Sequence, residues 1–177
     1  MAIRTVAGKV IVNNVISGSR APMSRGEAPL PALAMRMLFL QWHFTRSNRG
    51  SPMQTILTSE APAPGGHYSQ AIVANGFVFV AGQLPIAPDG SGIPAGVEAQ
   101  TRQSLANVEA ILRAAKSGLD QVVAMTVFVS DIAHWPEVNR VYAEVLGAHR
   151  PARTVAVSPQ LHFGALVEIQ ATALAPR

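Results

Sequence analysis

The chain has 177 residues, 49% apolar and 14% charged, enough for one domain with a sizeable core and too few for two. It contains no cysteine, which excludes disulfides, thiolate metal sites and a cysteine nucleophile. The net charge of +4 is unevenly spread: residues 1–52 hold seven Lys/Arg and one Glu (+6), whereas 53–177 hold seven Lys/Arg and nine Asp/Glu (−2). The basicity belongs to the leader, which argues against a nucleic-acid partner for the domain.

Up to Pro52 no apolar period is sustained, and Arg, Ser and Pro interrupt each apolar cluster. The richest stretch, 33–44, contains Arg36 and is shorter than the ~18 apolar residues a membrane span needs. Residues 1–52 therefore read as a basic, disordered extension. An acid-poor, Arg-rich leader is also the composition of an organellar transit peptide. The favoured reading is upstream sequence joined to a domain that starts at Met53, with the cytoplasm as the expected compartment. Residues preceding 53 in the native protein, found by N-terminal sequencing, would overturn it.

From Met53 the pattern is regular. A strand is predicted at 54–58. The runs 71–73 and 77–81 flank Asn75-Gly76, a two-residue hairpin turn signal. Pro85, Pro88, Gly90, Gly92 and Pro94 mark 83–96 as a loop. Val97, Leu105, Val108, Leu112 and Ala115 recur at helical spacing, predicting a helix over 97–116 that Gly118 ends. An apolar strand follows at 122–129. A second helix is predicted over 135–146, with Asp131 or His134 near its start and Pro136 in its first turn. Strands at 152–158 and 165–174 complete a β-ββ-α-β-α-ββ order, an α+β domain with two helices on one face of a mixed sheet. Residues 77–80 and 122–129 are apolar on both pleat faces, although two helices cover only one. A closed homo-oligomer is expected, with sites in the clefts between subunits.

In the last strand Glu168 alternates onto the face opposite Val167, Ile169 and Ala171, and Arg153 shares a face with Val155 and Val157. Arg grips carboxylates in a bidentate fork and Glu shuttles protons, so the two together suit a small polar substrate. On spacing alone they read first as a cross-strand pair stabilising the sheet by roughly 0.2–1 kcal/mol. Tyr68 and Ser69 lie in a Gly-led turn, and Asn139 reads as a solvated helix residue. Glu98–Arg102 and Glu109–Arg113 fall at i,i+4 and mark a solvated helix face. The five histidines show no paired metal spacing, and neither HExxH nor GxSxG is present.

Gly66-His67-Tyr68-Ser69-Gln70-Ala71, Val80-Ala81-Gly82-Gln83-Leu84-Pro85, Asn139 to Tyr142, Pro151-Ala152-Arg153-Thr154 and Val167-Glu168-Ile169 occur in this order. Together they resemble the RidA (YjgF-type) family of reactive-intermediate deaminases over essentially all of 53–177. The resemblance implies a chorismate-mutase-like fold, a homotrimer with interfacial sites, and hydrolysis of enamine or imine intermediates such as 2-aminoacrylate to 2-keto acids and ammonia. It implies that Arg153 binds the substrate carboxylate and Glu168 positions or activates water. Tyr68 would line the pocket, Gly82 and Val155 would lend backbone groups, and Asn139 would lie near the site. No cofactor or metal is expected, because an imine carbon is already electrophilic. His67 stands where the family usually has Pro, Gln170 where a second Glu is common, Val145-Leu146 where Phe-Phe is frequent, and Val155 where some members carry Cys. These departures bear on pocket shape. Similar proteins deaminate aminomuconate-type intermediates, and a non-enzymatic carboxylate-binding or holdase-like trimer is a further alternative. Glu168 speaks against the latter, since binding a carboxylate needs only the Arg.

Overall fold

The computed structural model describes residues 2–6, 9–13 and 52–176. Two units are distinguished, Met1–Arg46 and Ser47–Arg177. In the first, β1 (Ala2–Val6) pairs antiparallel with β2 (Lys9–Asn13), two strands that the sequence reading does not anticipate. The apolar stretch 33–44 and the expectations placed on the rest of the leader fall outside the described residues.

In the second unit the elements follow the anticipated order: β3 (Gln54–Ile56), β4 (Ala71–Ala74), β5 (Phe77–Gln83), α1 (Val97–Ala114), β6 (Val122–Val129), α2 (Trp135–Leu146), β7 (Ala152–Val157) and β8 (Val167–Leu174). Asn75 and Gly76 both have positive φ (50° and 81°), as a two-residue hairpin turn with right-handed strand twist requires. The six strands order as β3-β4-β5-β8-β6-β7, with β6–β7 parallel and every other pair antiparallel. The last strand thus inserts between β5 and β6. Helix α1 packs on β5 and β8, and α2 lies against α1.

One face of the sheet and the helices enclose the core. Val78, Val127, Val129, Val167, Ile169 and Ala173 are fully buried there, with Val108, Ile111, Leu112, Val138 and Val141 from the helices. The opposite face is open in the single chain: Phe79 is 47% exposed, and Phe77, Val123 and Leu174 are exposed beside it. Four charged side chains join the helices externally. Arg102 and Arg140 each bind both Glu98 and Glu144. Among the described residues no helix is long and apolar enough to cross a membrane.

Several boundaries move for physical reasons. β3 stops at Ile56 because the Thr58 N–H donates to the Gln70 side chain (2.7 Å) and leaves the ladder. α1 ends before Gly118: Lys116 takes the left-handed position (φ 59°), and the Ser117 N–H closes on the Leu112 carbonyl. Asp131 caps a short 3-10 turn, Ile132–His134, by accepting from the Ala133 N–H, and α2 grows out of that turn. Arg113 pairs with Glu60 (3.2 Å) instead of with Glu109. β8 begins at Val167, because the chain first makes a tight 3-10 turn at His162–Gly164.

Gln70, 1% exposed, fastens the segment after β3 to the hairpin. Its Oε1 accepts from the Thr58 N–H, and its Nε2 donates to the carbonyls of Thr58 (3.0 Å) and Pro62 (2.8 Å). Gln70→Leu keeps the volume and leaves these main-chain groups unpaired. It is expected to destabilise the protein by about 2–4 kcal/mol in urea denaturation, with the m-value unchanged.

Candidate active site

The sequence-predicted residues fall into two groups on opposite faces of the sheet. Parallel pairing sets Arg153 against Met125 and Val155 against Val127, both on the helix side. Glu168 pairs with Phe128 and faces the open side. The two charged residues are separated by β6, by roughly 10 Å along the strands and roughly 10 Å across them. The cross-strand Arg–Glu pair considered from the sequence therefore does not form, and one chain does not bring these side chains together. The reason is topological: β8 lies between β5 and β6, so β7 never adjoins it.

On the helix side the Arg153 guanidinium lies 4.4 Å from the ring centroid of Trp135 and 4.7 Å from that of Tyr142, both on α2. Cation–π attraction orients the group without using its N–H donors. Among the described residues Arg153 makes no side-chain hydrogen bond or ion pair, so its planar fork stays available for a carboxylate. Trp135, Asn139 and Tyr142 follow an i, i+4, i+7 spacing, which puts the exposed Asn139 on the same helix face, between the two rings. Burial pushes the Tyr142 phenol above its ordinary pKa, and the Arg153 charge opposes this. Its hydroxyl is buried with no hydrogen-bond partner among the described residues. Sequence reasoning missed Trp135 and Tyr142, although their spacing around Asn139 was a usable signal.

On the open side Glu168 lies over Gly82. A Cβ added at Gly82 would clash with the carboxylate and come within 3.0 Å of Glu168 Cδ, so the backbone there must be bare. Gly82 lies within the register shift between Val80 and Gln83, where β5 departs from regular pairing with β8. Burial raises the Glu168 pKa above its ordinary value, opposed by the charge of nearby His162. Gly82 also floors a cleft of about 330 Å³ lined by Pro62, Tyr68, Leu84, Ile86 and Phe163. Tyr68, 53% exposed, accepts from the Gly65 N–H through its hydroxyl (3.3 Å), which folds its ring back over Gly66. Tyr68, Gly82 and Glu168 thus gather at one place, and Arg153, Val155 and Asn139 at another.

The departures from the family pattern lie around these groups. His67 is exposed beside Tyr68, and Gln170 is exposed two residues along β8 from Glu168. Val155 is half-buried and packs on the core. Among the described residues no group of three or more His, Asp or Glu side chains could hold a metal ion.

Comparison with known proteins finds relatives across residues 58–175. The family model described as Endoribonuclease L-PSP matches residues 58–175. A RutC family protein of Pyrococcus horikoshii is 44% identical over 121 residues, covering 68% of this chain and 96% of its own. The mitochondrial protein MMF1 of Saccharomyces cerevisiae is 34% identical, over 67% of this chain and 82% of its own. The crystal structure of E. coli TdcF with bound serine superposes with a TM-score of 0.67 at 34% identity, covering 70% of this chain and 99% of that one.

Two outcomes test the geometry. Pyruvate binding at Arg153 is expected to change Trp135 emission in a Trp42→Phe background, where Trp135 is the only tryptophan. Arg153→Ala should remove that response. Gly82→Ala displaces only the flexible end of Glu168, so the melting temperature should move by no more than a few degrees. Turnover should nevertheless fall about 10²-fold, the scale of a misplaced catalytic group.

Proposed function

Because the chain belongs to the endoribonuclease L-PSP family, the family of RidA and YjgF, we propose that it hydrolyses reactive enamine and imine intermediates to 2-keto acids and ammonia. The observation that carries this reading is the Glu168 carboxyl, lodged over Gly82 beside a cleft. Among the described residues it makes no side-chain hydrogen bond or ion pair, and its proton affinity is raised. A protein that only bound carboxylates would need Arg153 and have no use for such a group.

The chemistry asks little of the protein. An enamine such as 2-aminoacrylate takes a proton at its β-carbon and loses one from nitrogen, giving the imine. Water adds to the C=N carbon, and Glu168 accepts a water proton as the C–O bond forms. The nitrogen gains that proton, giving the carbinolamine; Glu168 then moves the hydroxyl proton to the nitrogen, the C–N bond breaks, ammonia leaves and the C=O bond closes. Arg153 holds the carboxylate and fixes the approach. The serine held by TdcF is a ligand of the same small, carboxylate-bearing kind.

Arg153 and Glu168 lie on opposite faces, so we assign each site to two copies of the chain, one supplying Arg153 and the next Glu168, within a homotrimer. The exposed apolar open face (Phe77, Phe79, Val123 and Leu174) supports this association. The ribonuclease activity in the family's description receives no such support here. Arg102, Arg113 and Arg140 are tied up in ion pairs, and residues 53–177 carry a net −2.

Wild-type protein added to an enzyme generating 2-aminoacrylate should accelerate release of ammonia and keto acid. Arg153→Ala should act mainly through KM and Glu168→Ala mainly through kcat. Each variant alone should be nearly inactive. Dissociating and reassembling an equal mixture of the two should restore about a quarter of wild-type activity, the statistical share of sites with both groups intact. No recovery on mixing would place both groups of a site in one chain.

A further inference from the structure

Helix α1 turns two amides toward the sheet where apolar side chains would bury more surface. Gln100 and Asn107 lie seven residues apart, two helical turns along one face, and both are buried. The Gln100 Nε2 donates to the Pro94 carbonyl (3.0 Å), and its Oε1 accepts from the Leu166 N–H (2.7 Å). The Asn107 Nδ2 donates to the carbonyls of Leu84 (3.0 Å) and Ile86 (2.9 Å). Its Oδ1 accepts from the Gln103 amide (2.9 Å), which fixes the orientation of the group. Leu84 follows Gly82 by two residues, and Leu166 precedes Glu168 by two. The amides therefore act at the two chain segments that bring Glu168 and Gly82 together.

The place of these bonds matters because the sheet ladder gives out there. The pairing of β5 with β8 runs from Phe77–Leu174 to Gln83–Ile169, where β5 ends. Val167 and Glu168 are paired with β6, opposite Val129 and Phe128, and have no β5 partner among the described residues. Just before them the chain makes the tight turn at His162–Gly164, with left-handed residues at Phe163 and Gly164. A strand end bonded along one edge and joined to a turn opens more readily than the strand centre. Leu166 is fixed from two directions instead. The Ser130 N–H, at the end of β6, donates to its carbonyl (2.9 Å), and Gln100 takes its N–H.

We infer that Gln100 is a positioning residue for Glu168, fixing the entry of β8 so that the carboxyl stays over Gly82 and sheltered from water. The inference rests on the deaminase reading above, in which Glu168 takes a proton from the attacking water. An apolar residue at position 100 would leave the Leu166 N–H and the Pro94 carbonyl unpaired. Both groups would turn toward water, and the first residues of β8 would move with Leu166. The Glu168 carboxyl would then leave Gly82 and gain hydration. Burial is what raises its proton affinity. The titratable groups about it are His162, whose charge opposes that rise, and Tyr68, while Phe128 on β6 and Gly82 on β5 carry none. Added hydration therefore moves the titration of Glu168 to lower pH.

The test uses the full chain with isotope-labelled glutamate carboxyls read by NMR, the Glu168 signal being assigned by its loss in Glu168→Gln. Gln100→Met removes both bonds at similar volume. In this variant the Glu168 signal is expected to titrate at lower pH than in wild type. Hydrolysis of the imine generated from alanine by an L-amino-acid oxidase should lose about 10- to 100-fold in kcat, with KM within about 2-fold. Gln100→Glu, protonated in so buried a position, can make the same two bonds and should keep the wild-type titration and most of the turnover. Circular dichroism checks that each variant is folded. Should Gln100→Met not fold, Gln100→Asn takes its place, a methylene too short to bridge Pro94 and Leu166, with both readings moving in the same direction. A folded variant with an unmoved Glu168 titration, or a loss that falls on KM alone, overturns the inference and leaves the deaminase reading standing. If wild type accelerates no imine hydrolysis, the deaminase reading fails, and the titration alone decides whether Gln100 holds the carboxyl.

Discussion

Backbone alternation along β8 puts Val167, Ile169, Ala171 and Ala173 under the helices and Glu168, Gln170 and Thr172 on the other face. Because β8 lies between β5 and β6, this alternation sets the register of both neighbours. Phe128 is carried opposite Glu168 and Ile169 opposite Gln83, and Gly82 comes beneath the carboxylate. Slipping β8 by one residue would put Glu168 into the core and Ile169 into water. The four apolar positions alone make that slip prohibitive, so the energy that fixes the fold also fixes the position of the carboxylate.

The cleft walls are irregular chain, and buried main-chain groups there still need partners. Amide side chains supply them. Asn107, on the buried face of α1, donates to the carbonyls of Leu84 and Ile86 (3.0 and 2.9 Å). Gln100, two helical turns earlier on a similar face, donates to the Pro94 carbonyl and accepts from the Leu166 N–H at 2.7 Å, beside the turn that carries Phe163. Gln70 does the same for the segment at 58–62. The helix thus spends part of its core-facing surface on polar groups, and those groups hold the loops in one arrangement. A cleft built this way is rigid although little of it belongs to a helix or strand.

The elements that were legible in the sequence are those set by local pattern. Asn75-Gly76 demands its turn, Pro136 suits the start of α2, and the apolar spacing in 97–116 marks a helix. What escaped depends on chain segments far apart in sequence. The buried face of α1 includes Gln100, Thr101, Ser104 and Asn107, which an apolar-period reading assigns to solvent. Lys116 occupies a left-handed position that composition would give to Gly118. The identities of Arg153, Glu168, Tyr68 and Gly82 were legible through their motifs. Their division between two faces was not, because alternation within each strand says nothing about which strands become neighbours. The Trp135 and Tyr142 clamp follows from the same pairing, since it exists only once β7 lies alongside β6 beneath α2.

That division has a chemical consequence. On the outer surface of the helices each of three Arg side chains has joined a Glu: Arg102 and Arg140 with Glu98 and Glu144, and Arg113 with Glu60. Had Arg153 and Glu168 shared a face on adjacent strands, the same attraction would bind them to each other. The guanidinium fork would then be occupied and the carboxyl pKa held low. The intervening sheet prevents this. Arg153 is steadied by neutral rings that leave its donors open, and Glu168 is steadied by a bare glycine that leaves its oxygens open. A sheet that keeps the two charges on opposite faces therefore leaves the donors of one open and the proton affinity of the other raised, and in the trimer proposed above their meeting over a substrate is a property of the assembly and not of the single chain.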